Sequence, residues 1–350
     1  NSTQNTYNYT NLTATTRFRV LVQSGVCASL YSNTVTITVN PLTVGGHIAA
    51  NDTVCVTSNN GTLQLTNYVG DLIRWESSID NGNNWTLINY TGDQYSFSNL
   101  LSTTLFRVMV QSGVCSAAFS DTVNIVVDAA TVAGTLSGAD TVCYNNNSGQ
   151  VILSGKLGSV IQWESSENSG AIWSPINTAL TDTIRYNNLQ RTTLYRSLVK
   201  NGTCAVMYTT PVEIAVVEPV TIANAGNDIL VCNAASFTTL RANTALSGTG
   251  MWRQIAGPNN VSFADATNPN TTVSGLVPGT YEFAWEISNG ICVSSSDTVS
   301  VKVDQTIADF TLSGANNCGN TVYQFNDRSR SNFGIAEWKW SIAPGDTVYQ

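Results

Sequence analysis

The chain has 350 residues, of which 42% are hydrophobic and 11% charged, and its formal net charge is −8 at pH 7. This composition is sufficient to bury several cores and excludes a disordered tail, while the acidic balance argues against nucleic acid and anionic lipid surfaces as partners. No run of about 18 apolar residues is present, so we expect no direct membrane insertion of this segment.

The cysteines and tryptophans follow one register along the chain. Gaps of 26 to 28 residues between cysteines alternate with gaps of 60 or 61, which gives a repeat of 88 or 89 residues. One tryptophan follows 20 residues after the first cysteine of each repeat, and we predict that these tryptophans fill the domain cores. They are Trp75, Trp163, Trp252 and Trp338.

This register predicts three complete domains, at residues 43–129, 130–217 and 218–305. Residues 1–42 are then the C-terminal part of a domain, and residues 306–350 the N-terminal part of another. Cys27 and Cys318 have no partner of the right spacing in the chain. We therefore expect both ends of the sequence to cut through domains of a longer protein.

Within each domain the sequence alternates short strand patterns with turn signals. In the first complete domain, residues 62–66, 72–77, 85–88, 105–111 and 122–127 are predicted strands, and Asn81-Gly82 and Ser112-Gly113 are predicted turns. The other domains repeat the pattern, and no segment has a sustained helical period. The sequence thus predicts an all-β protein of tandem immunoglobulin-like β-sandwiches arranged as an extended rod.

We expect the cysteines of each domain to form a disulfide near one pole of that domain. The predicted pairs are Cys55–Cys115, Cys143–Cys204 and Cys232–Cys292. Free core cysteines are the alternative, but they would not explain the constant spacing within pairs. Disulfides indicate an oxidising, extracytoplasmic location.

Residues suited to catalysis are scarce. His47 is the only histidine and falls in a predicted linker, which excludes a histidine-based triad or metal site inside the three domains. The acidic residues are few and many recur with the repeat, and Asp80 fits a turn better than a calcium loop. We therefore expect no enzyme activity, no metal and no cofactor in this segment.

Two other features keep alternative interpretations. Trp85 and Trp173 could form a carbohydrate-binding platform, or they could pack on the edge of their own sheets. The motif Asp-Thr-Val or Asp-Thr-Ile has a structural interpretation, because Asp can close a turn and Thr can open a strand. Its threonines are Thr53, Thr122, Thr141, Thr183, Thr298 and Thr347.

Several strings resemble the repeats of giant cell-surface proteins of Bacteroidetes. They are TTLFRVMVQSGVCSAAFSDTVNIVV, ANAGNDILVCNAA, GTGMWRQIAGP and VPGTYEFAWEISNGICVSSSDTVSV. Such repeats are Ig-like and PKD-like modules found in SprB-type gliding adhesins and in other substrates of the type IX secretion system. Residues 218–305 fit either module, and residues 306–350 look PKD-like through YQFNDRSR and EWKWSIAPGD, although the usual Gly-Asp-Gly is not intact.

This resemblance implies a function outside the cell. It implies an adhesive filament attached to the outer membrane, with external surfaces or polysaccharide and the gliding and secretion machinery as partners. It also turns the six motif threonines into candidate O-glycosylation sites, since Bacteroidetes glycosylate Asp-[Ser/Thr]-apolar sequences. The alternative is a non-catalytic spacer, or a set of carbohydrate-binding repeats, in a secreted multidomain hydrolase.

Overall fold

A computed structural model describes residues 4–49, 51–176, 180–232, 235–314, 323–342 and 346–349. Every regular element in these ranges is a β-strand, and the predicted fold class of tandem all-β sandwiches is confirmed. None of the described segments forms a helix that could cross a membrane. The N-terminal segment contains two small antiparallel sheets, which pair β1 with β4 and β2 with β3. Its strands are β1 (Thr16–Phe18), β2 (Leu21–Val22), β3 (Leu30–Tyr31) and β4 (Val35–Ile37).

The first sandwich is formed by nine strands. They are β5 (His47–Ile48), β6 (Asp52–Cys55), β7 (Asn60–Thr66), β8 (Asp71–Ser78), β9 (Thr86–Ile88), β10 (Gln94–Ser98), β11 (Thr104–Gln111), β12 (Ala118–Phe119) and β13 (Val123–Asp128). One sheet has the order β10-β7-β5 and the other β6-β13-β11-β8-β9, with β12 also paired to β11. Every second residue of β11 is buried, as expected for a strand with one face on a core. Trp75 is fully buried between the sheets, and its indole N–H donates a hydrogen bond to the Gly92 carbonyl at 2.9 Å.

The second sandwich repeats this arrangement. Its strands are β14 (Thr135–Ser137), β15 (Asp140–Cys143), β16 (Ser148–Ser154), β17 (Ser159–Ser166), β18 (Ser174–Ile176), β19 (Thr183–Asn187), β20 (Thr193–Lys200), β21 (Met207–Tyr208) and β22 (Val212–Val217). The sheet orders are β14-β16-β19 and β15-β22-β20-β17-β18, with β21 on β20. Trp163 is fully buried and donates to the Thr181 carbonyl at 2.9 Å.

The third sandwich has longer central strands. Its strands are β23 (Ile229–Val231), β24 (Phe237–Thr239), β25 (Thr249–Ala256), β26 (Ser262–Phe263), β27 (Thr272–Ser274), β28 (Gly279–Ser288) and β29 (Ser295–Val303). The sheets have the orders β23-β29-β28-β25 and β24-β27-β26. Trp252 lies in the core with its ring centre 5.2 Å from that of Trp285.

The C-terminal segment corrects one core prediction. Its strands are β30 (Phe310–Ser313), β31 (Gln324–Asp327), β32 (Lys339–Ile342) and β33 (Asp346–Tyr349). Trp338 precedes β32 and is 41% exposed, so the prediction that it is a core residue is wrong. Trp340, inside the strand, packs instead on Phe310 and Phe325 at ring-centre distances of 5.5 and 5.6 Å. Cys318 lies outside the described residues.

The direction of the first strands decides where the cysteines lie. In the first sandwich β5 pairs with β7 in one sheet, and β6 then joins the other sheet parallel to the last strand, β13. The second sandwich pairs β15 with β22 in the same way. We call the end where the chain enters a sandwich its proximal end, and the end where its last strand finishes its distal end.

Candidate functional site

The two cysteines of one sandwich lie at opposite ends. Cys55 ends β6 in register with Asp128, the last residue of β13, so it lies at the distal end. Cys115 follows β11, which runs antiparallel to β13, and its sulfur lies 3.5 Å from the Pro41 carbonyl oxygen at the proximal end. An eight-residue strand spans about 25 Å, whereas a disulfide needs Cα atoms within about 7 Å. A Cys55–Cys115 bond is therefore excluded in this fold.

The disulfides instead join neighbouring sandwiches. Cys55 of the first sandwich bonds Cys204 of the second, and Cys143 of the second bonds Cys292 of the third. The Cα atoms are 4.8 and 5.0 Å apart, and each bond joins residues separated by 149 positions. In both bonds a distal-end cysteine meets a proximal-end cysteine of the next sandwich.

The predicted pairs Cys55–Cys115, Cys143–Cys204 and Cys232–Cys292 are thus wrong. The prediction took both cysteines of a domain to lie at one pole, whereas the parallel β6–β13 pairing carries the first cysteine across the sandwich. Cys27, Cys115 and Cys232 have free thiols.

Hydrogen bonds close the junction between the first and second sandwiches around its disulfide. The Asp128 carboxylate accepts bonds from the backbone N–H and the hydroxyl of Thr203, at 2.8 and 3.1 Å. The Asn201 side-chain amide donates to the Ala129 carbonyl at 2.8 Å, and the Asn201 backbone N–H donates to the Thr131 hydroxyl at 3.0 Å. The end of β13 is therefore held against the β20–β21 turn of the next sandwich.

A glycine makes this close approach feasible. Gly202 has a φ of +50°, in the left-handed region, and a Cβ atom there would lie 2.0 Å from Asp128 Oδ2. One repeat earlier, a Cβ atom on Gly113 would lie 2.1 Å from the Asn40 side-chain nitrogen. The turn glycine thus serves the contact between sandwiches as well as the turn itself.

The other junctions have related but different contacts. Before the first sandwich, the Ser112 backbone N–H donates to the Thr43 hydroxyl at 3.1 Å. Between the second and third sandwiches, the Asn289 side-chain amide donates to the Glu218 carbonyl at 3.1 Å, and the Cys292 sulfur lies 3.5 Å from the same carbonyl oxygen. Each proximal turn therefore rests on the linker that precedes it.

A shallow cleft of about 560 Å³ lies beside the Cys143–Cys292 disulfide. Its lining is mostly neutral and polar, and includes Thr141, Asn146, Asn147 and Asn188. No side chain in the described lining ionises, so this cleft offers no general acid or base. Among the residues that the structure describes, no group of three His, Cys, Asp or Glu side chains is placed to hold a metal ion.

An arginine covers the tryptophan proposed as a sugar platform in the first sandwich. The Arg107 guanidinium lies over the Trp85 ring at 3.9 Å and over the Phe119 ring at 3.9 Å. It also pairs with Glu76, which is 2% exposed and is bound from its other oxygen by Arg74. Trp85 is half-buried in this stack, so a sugar could reach the covered ring face only by displacing Arg107.

The second sandwich has the same stack. Arg196 lies over Trp173 at 4.0 Å and over Tyr208 at 4.2 Å, and it pairs with Glu164. Arg19 lies over Tyr31 in the N-terminal segment at 3.7 Å. The sequence reasoning missed these arginines, although they recur at the repeat distance and were open to detection.

The polar residues singled out in the sequence have structural contacts. His47 lies in β5, not in a linker, and its ring pairs with the Asp121 carboxylate. Asp80 accepts hydrogen bonds from the backbone N–H of Asn84 and from the Ser78 hydroxyl, and these bonds lower the pKa of Asp80 to about 2. Both contacts lie within the hairpin, as expected for a turn residue.

The motif threonines are mostly accessible. Thr53, Thr122, Thr141 and Thr298 are exposed and Thr183 is half-buried, while the side chain of Thr347 lies outside the described residues. The backbone N–H groups of Thr53 and Thr141 donate to the carboxylate of the preceding aspartate at 2.7 and 2.8 Å. The motif therefore has a structural role at the start of edge strands that leaves the hydroxyl side accessible.

Comparisons with known proteins identify two kinds of module. The family model described as Domain of unknown function (DUF8696) matches residues 1–41, 44–129 and 132–218. A second family model, described as a PKD domain, matches residues 225–303. No curated protein matches the chain.

Solved structures of tandem β-sandwich proteins are similar at low identity. A titin fragment of domains I67–I69, an E-to-A variant, is 10% identical over 76% of this chain and 99% of its own, with a TM-score of 0.46. A Ca²⁺-stabilised adhesin with which an Antarctic bacterium binds ice is 10% identical over 83% of this chain and 82% of its own, with a TM-score of 0.33. The PKD domain of the KIAA 1837 protein is 28% identical over 23% of this chain and 83% of its own, with a TM-score of 0.21. These likenesses carry no argument about function.

The repeats of the first family model span more than half of the chain, and the PKD match follows them directly. The chain therefore belongs to the family described as Domain of unknown function (DUF8696), with a PKD domain after its repeats.

Proposed function

We propose that this chain is a structural and adhesive segment of a long extracellular filament. The observation that carries the proposal is the pair of disulfides across successive junctions. Disulfides of this kind persist in oxidising compartments outside the cytoplasm, which supports a location at the cell surface. A bond between domains also restrains how one sandwich moves against the next, and a compact single-domain enzyme would have no use for that restraint.

The junctions support a stiff rod. Each sandwich adds roughly 35–45 Å of length if its strands and end turns have ordinary dimensions. At the first junction, Asp128, Gly202 and the Cys55–Cys204 bond hold the end of one sandwich against the next. Such modules supply reach, and many weak contacts along a repeated surface add up to firm attachment.

The more specific parts of the proposal rest on the sequence resemblance. In that proposal the filament is attached to the outer membrane, is exported by the type IX secretion machinery, and is moved by the gliding machinery. Its ligands are external surfaces or polysaccharide. We assign no catalytic role to the segment.

We also propose that some motif threonines carry O-glycans. Thr53 and Thr141 are the strongest candidates, because both are exposed on edge strands at equivalent positions of two sandwiches. Intact-mass spectra of the protein from its native source should show increments of sugar residues, and Thr53→Val with Thr141→Val should reduce them. Spectra at the unmodified mass would contradict the proposal.

A spacer within a secreted hydrolase is the competing function. The same cross-linked rod could hold a catalytic domain away from the cell or from its neighbours. In that case the protein would be released with hydrolase activity, whereas a filament would remain on the cell.

Immunogold electron microscopy of intact source cells tests the proposal. Antibodies raised against the folded 350-residue chain should label long thin fibres on cells that have not been permeabilised. Label that appears only after permeabilisation would refute the extracellular assignment. Label found only in the culture fluid, co-purifying with a hydrolase, would favour the spacer.

A further inference from the structure

We propose that the staggered disulfides make these sandwiches a tether whose extension under tension is limited by covalent bonds. The inference rests on the proposed filament role and deepens it, since a filament that anchors a cell must carry tension. The two bonds divide the chain into segments of unequal length, and two of the four bonded cysteines, Cys55 and Cys143, end edge strands.

The two bonds reduce the covalent network to three parallel segments. Cys55 is fixed to Cys204, and Cys143 to Cys292. Three stretches of chain connect these two cross-links, namely residues 55–143, 143–204 and 204–292, of 88, 61 and 88 residues. The shortest stretch limits how far the cross-links can separate, because the other two remain slack when it is taut.

This limit is large even if all three sandwiches unfold. Between Cys55 and Cys292 the chain has 237 residues, which would extend to about 830 Å at about 3.5 Å per residue. With both disulfides the limit is the 61-residue stretch, or about 210 Å. With either single bond the shortest route is 88 residues, or about 310 Å.

The cross-links are also placed where they divert tension from the cores. Load that enters the first sandwich at His47 reaches Cys55 along β5 and β6 and passes directly to Cys204. From Cys204 it leaves the second sandwich through β21 and β22. Because β6 pairs in parallel with β13 and β15 with β22, the loaded strands are edge or terminal strands held by ladders of hydrogen bonds.

Residues outside this route carry the core side chains. Trp75 and Phe106, for example, lie on β8 and β11, in the loop between Cys55 and Cys204 that the disulfide bypasses. Tension therefore reaches these core strands only after the loaded edge strand has pulled away. The device protects the fold at low force and caps the extension at high force.

Single-molecule force spectroscopy of the 350-residue chain, held at its two ends, tests the proposal. The measured quantity is the total contour length released when all sandwiches have unfolded. The reduced protein should release about 620 Å more than the oxidised protein, which is the difference between 237 and 61 residues. Reduction of the already folded, tethered molecule with a phosphine avoids any dependence on refolding.

Two variants define the intermediate and the control. Cys55→Ser with Cys204→Ser leaves one bond and should release about 100 Å more than the oxidised wild type, and far less than the reduced protein. Cys115→Ser removes a thiol that forms no bond and should match the oxidised wild type. Equal contour lengths for oxidised and reduced protein, or full extension of the Cys55/Cys204 variant under oxidising conditions, would overturn the proposal.

These results are independent of the cell-surface assignment. Fibre labelling on intact cells together with an uncapped contour length would refute only the tether. A capped contour length on a protein that is absent from the cell surface would refute the filament role and leave the mechanical device standing.

Discussion

Replacement of Gly202 by alanine tests how closely two sandwiches are fitted together. The new Cβ atom would lie 2.0 Å from Asp128 Oδ2, well inside any normal contact, and the residue would remain at a φ of +50°. A left-handed conformation costs a non-glycine residue about 1–2 kcal/mol. If Asp128 must withdraw, the bonds that it accepts from Thr203 are lost as well, and a bond to a charged group contributes about 1.5–3 kcal/mol.

The expected loss at this junction is therefore about 3–5 kcal/mol. Gly290→Ala is the matched control, because Gly290 occupies the equivalent turn at a φ of +76° with open space where the Cβ atom would lie. That change should cost only the conformational strain, about 1–2 kcal/mol. Hydrogen-exchange mass spectrometry of oxidised protein would report both values, through peptides that cover residues 123–131 and 199–206 for Gly202 and residues 286–295 for Gly290. Equal losses of protection in the two variants would refute the close contact between Asp128 and the turn.

Two further outcomes are expected from contacts inside the sandwiches. Glu76→Gln should destabilise the first sandwich by about 2–4 kcal/mol, since it leaves two arginines without their buried carboxylate; Glu164→Gln, which has one arginine partner and is more exposed, should cost less. Hydrogen exchange in β11 and β20 would compare the two, and a larger loss for Glu164→Gln would contradict the geometry. The depressed pKa of Asp80, about 2, implies a stabilising contribution that is present above about pH 4 and lost as the pH falls towards 2. Asp80→Asn should abolish this acid dependence of its hairpin, because Asn168 accepts equivalent bonds in the second sandwich; an NMR titration of Asp80 near pH 4 would show the pKa to be wrong.

Much of the architecture could be predicted from the sequence because the repeat is regular. The positions of Trp75, Trp163 and Trp252 follow from a fixed spacing after a cysteine, and each of these residues lies in the core of its own sandwich. Trp338 obeys the same spacing and is exposed, because the ring that packs in the C-terminal segment belongs to Trp340. Spacing alone cannot decide between two tryptophans that are two residues apart.

The disulfide partners could not be predicted from spacing. Pairing within a domain and pairing between neighbouring domains both preserve the register, so Cys55 has equally regular partners at Cys115 and Cys204. The parallel contact of β6 with β13 decides between them, and that contact joins residues about 70 positions apart. One signal was available: the 12 residues from Thr43 to Cys55 span about 40 Å when extended, which is enough to cross a sandwich.

The outer-face stacks show a second limit of the sequence reasoning. Trp85 and Trp173 were recognised as conspicuous aromatic residues after a turn, but the arginine that covers each ring comes from a strand more than 20 residues away. The cross-strand position of an arginine depends on the register of two strands, which the sequence pattern does not define. With that register known, the two tryptophans are parts of charged stacks on their own sheets.

Mass spectrometry of peptides from the unreduced native protein tests the central claim most directly. Digestion at acidic pH, which prevents disulfide exchange, should yield a cross-linked peptide pair that contains Cys55 and Cys204, and another that contains Cys143 and Cys292. Both pairs should separate on reduction. A peptide pair that joins Cys55 to Cys115, or Cys143 to Cys204, would show that the bonds close single sandwiches and would contradict the account of the junctions and of the tether.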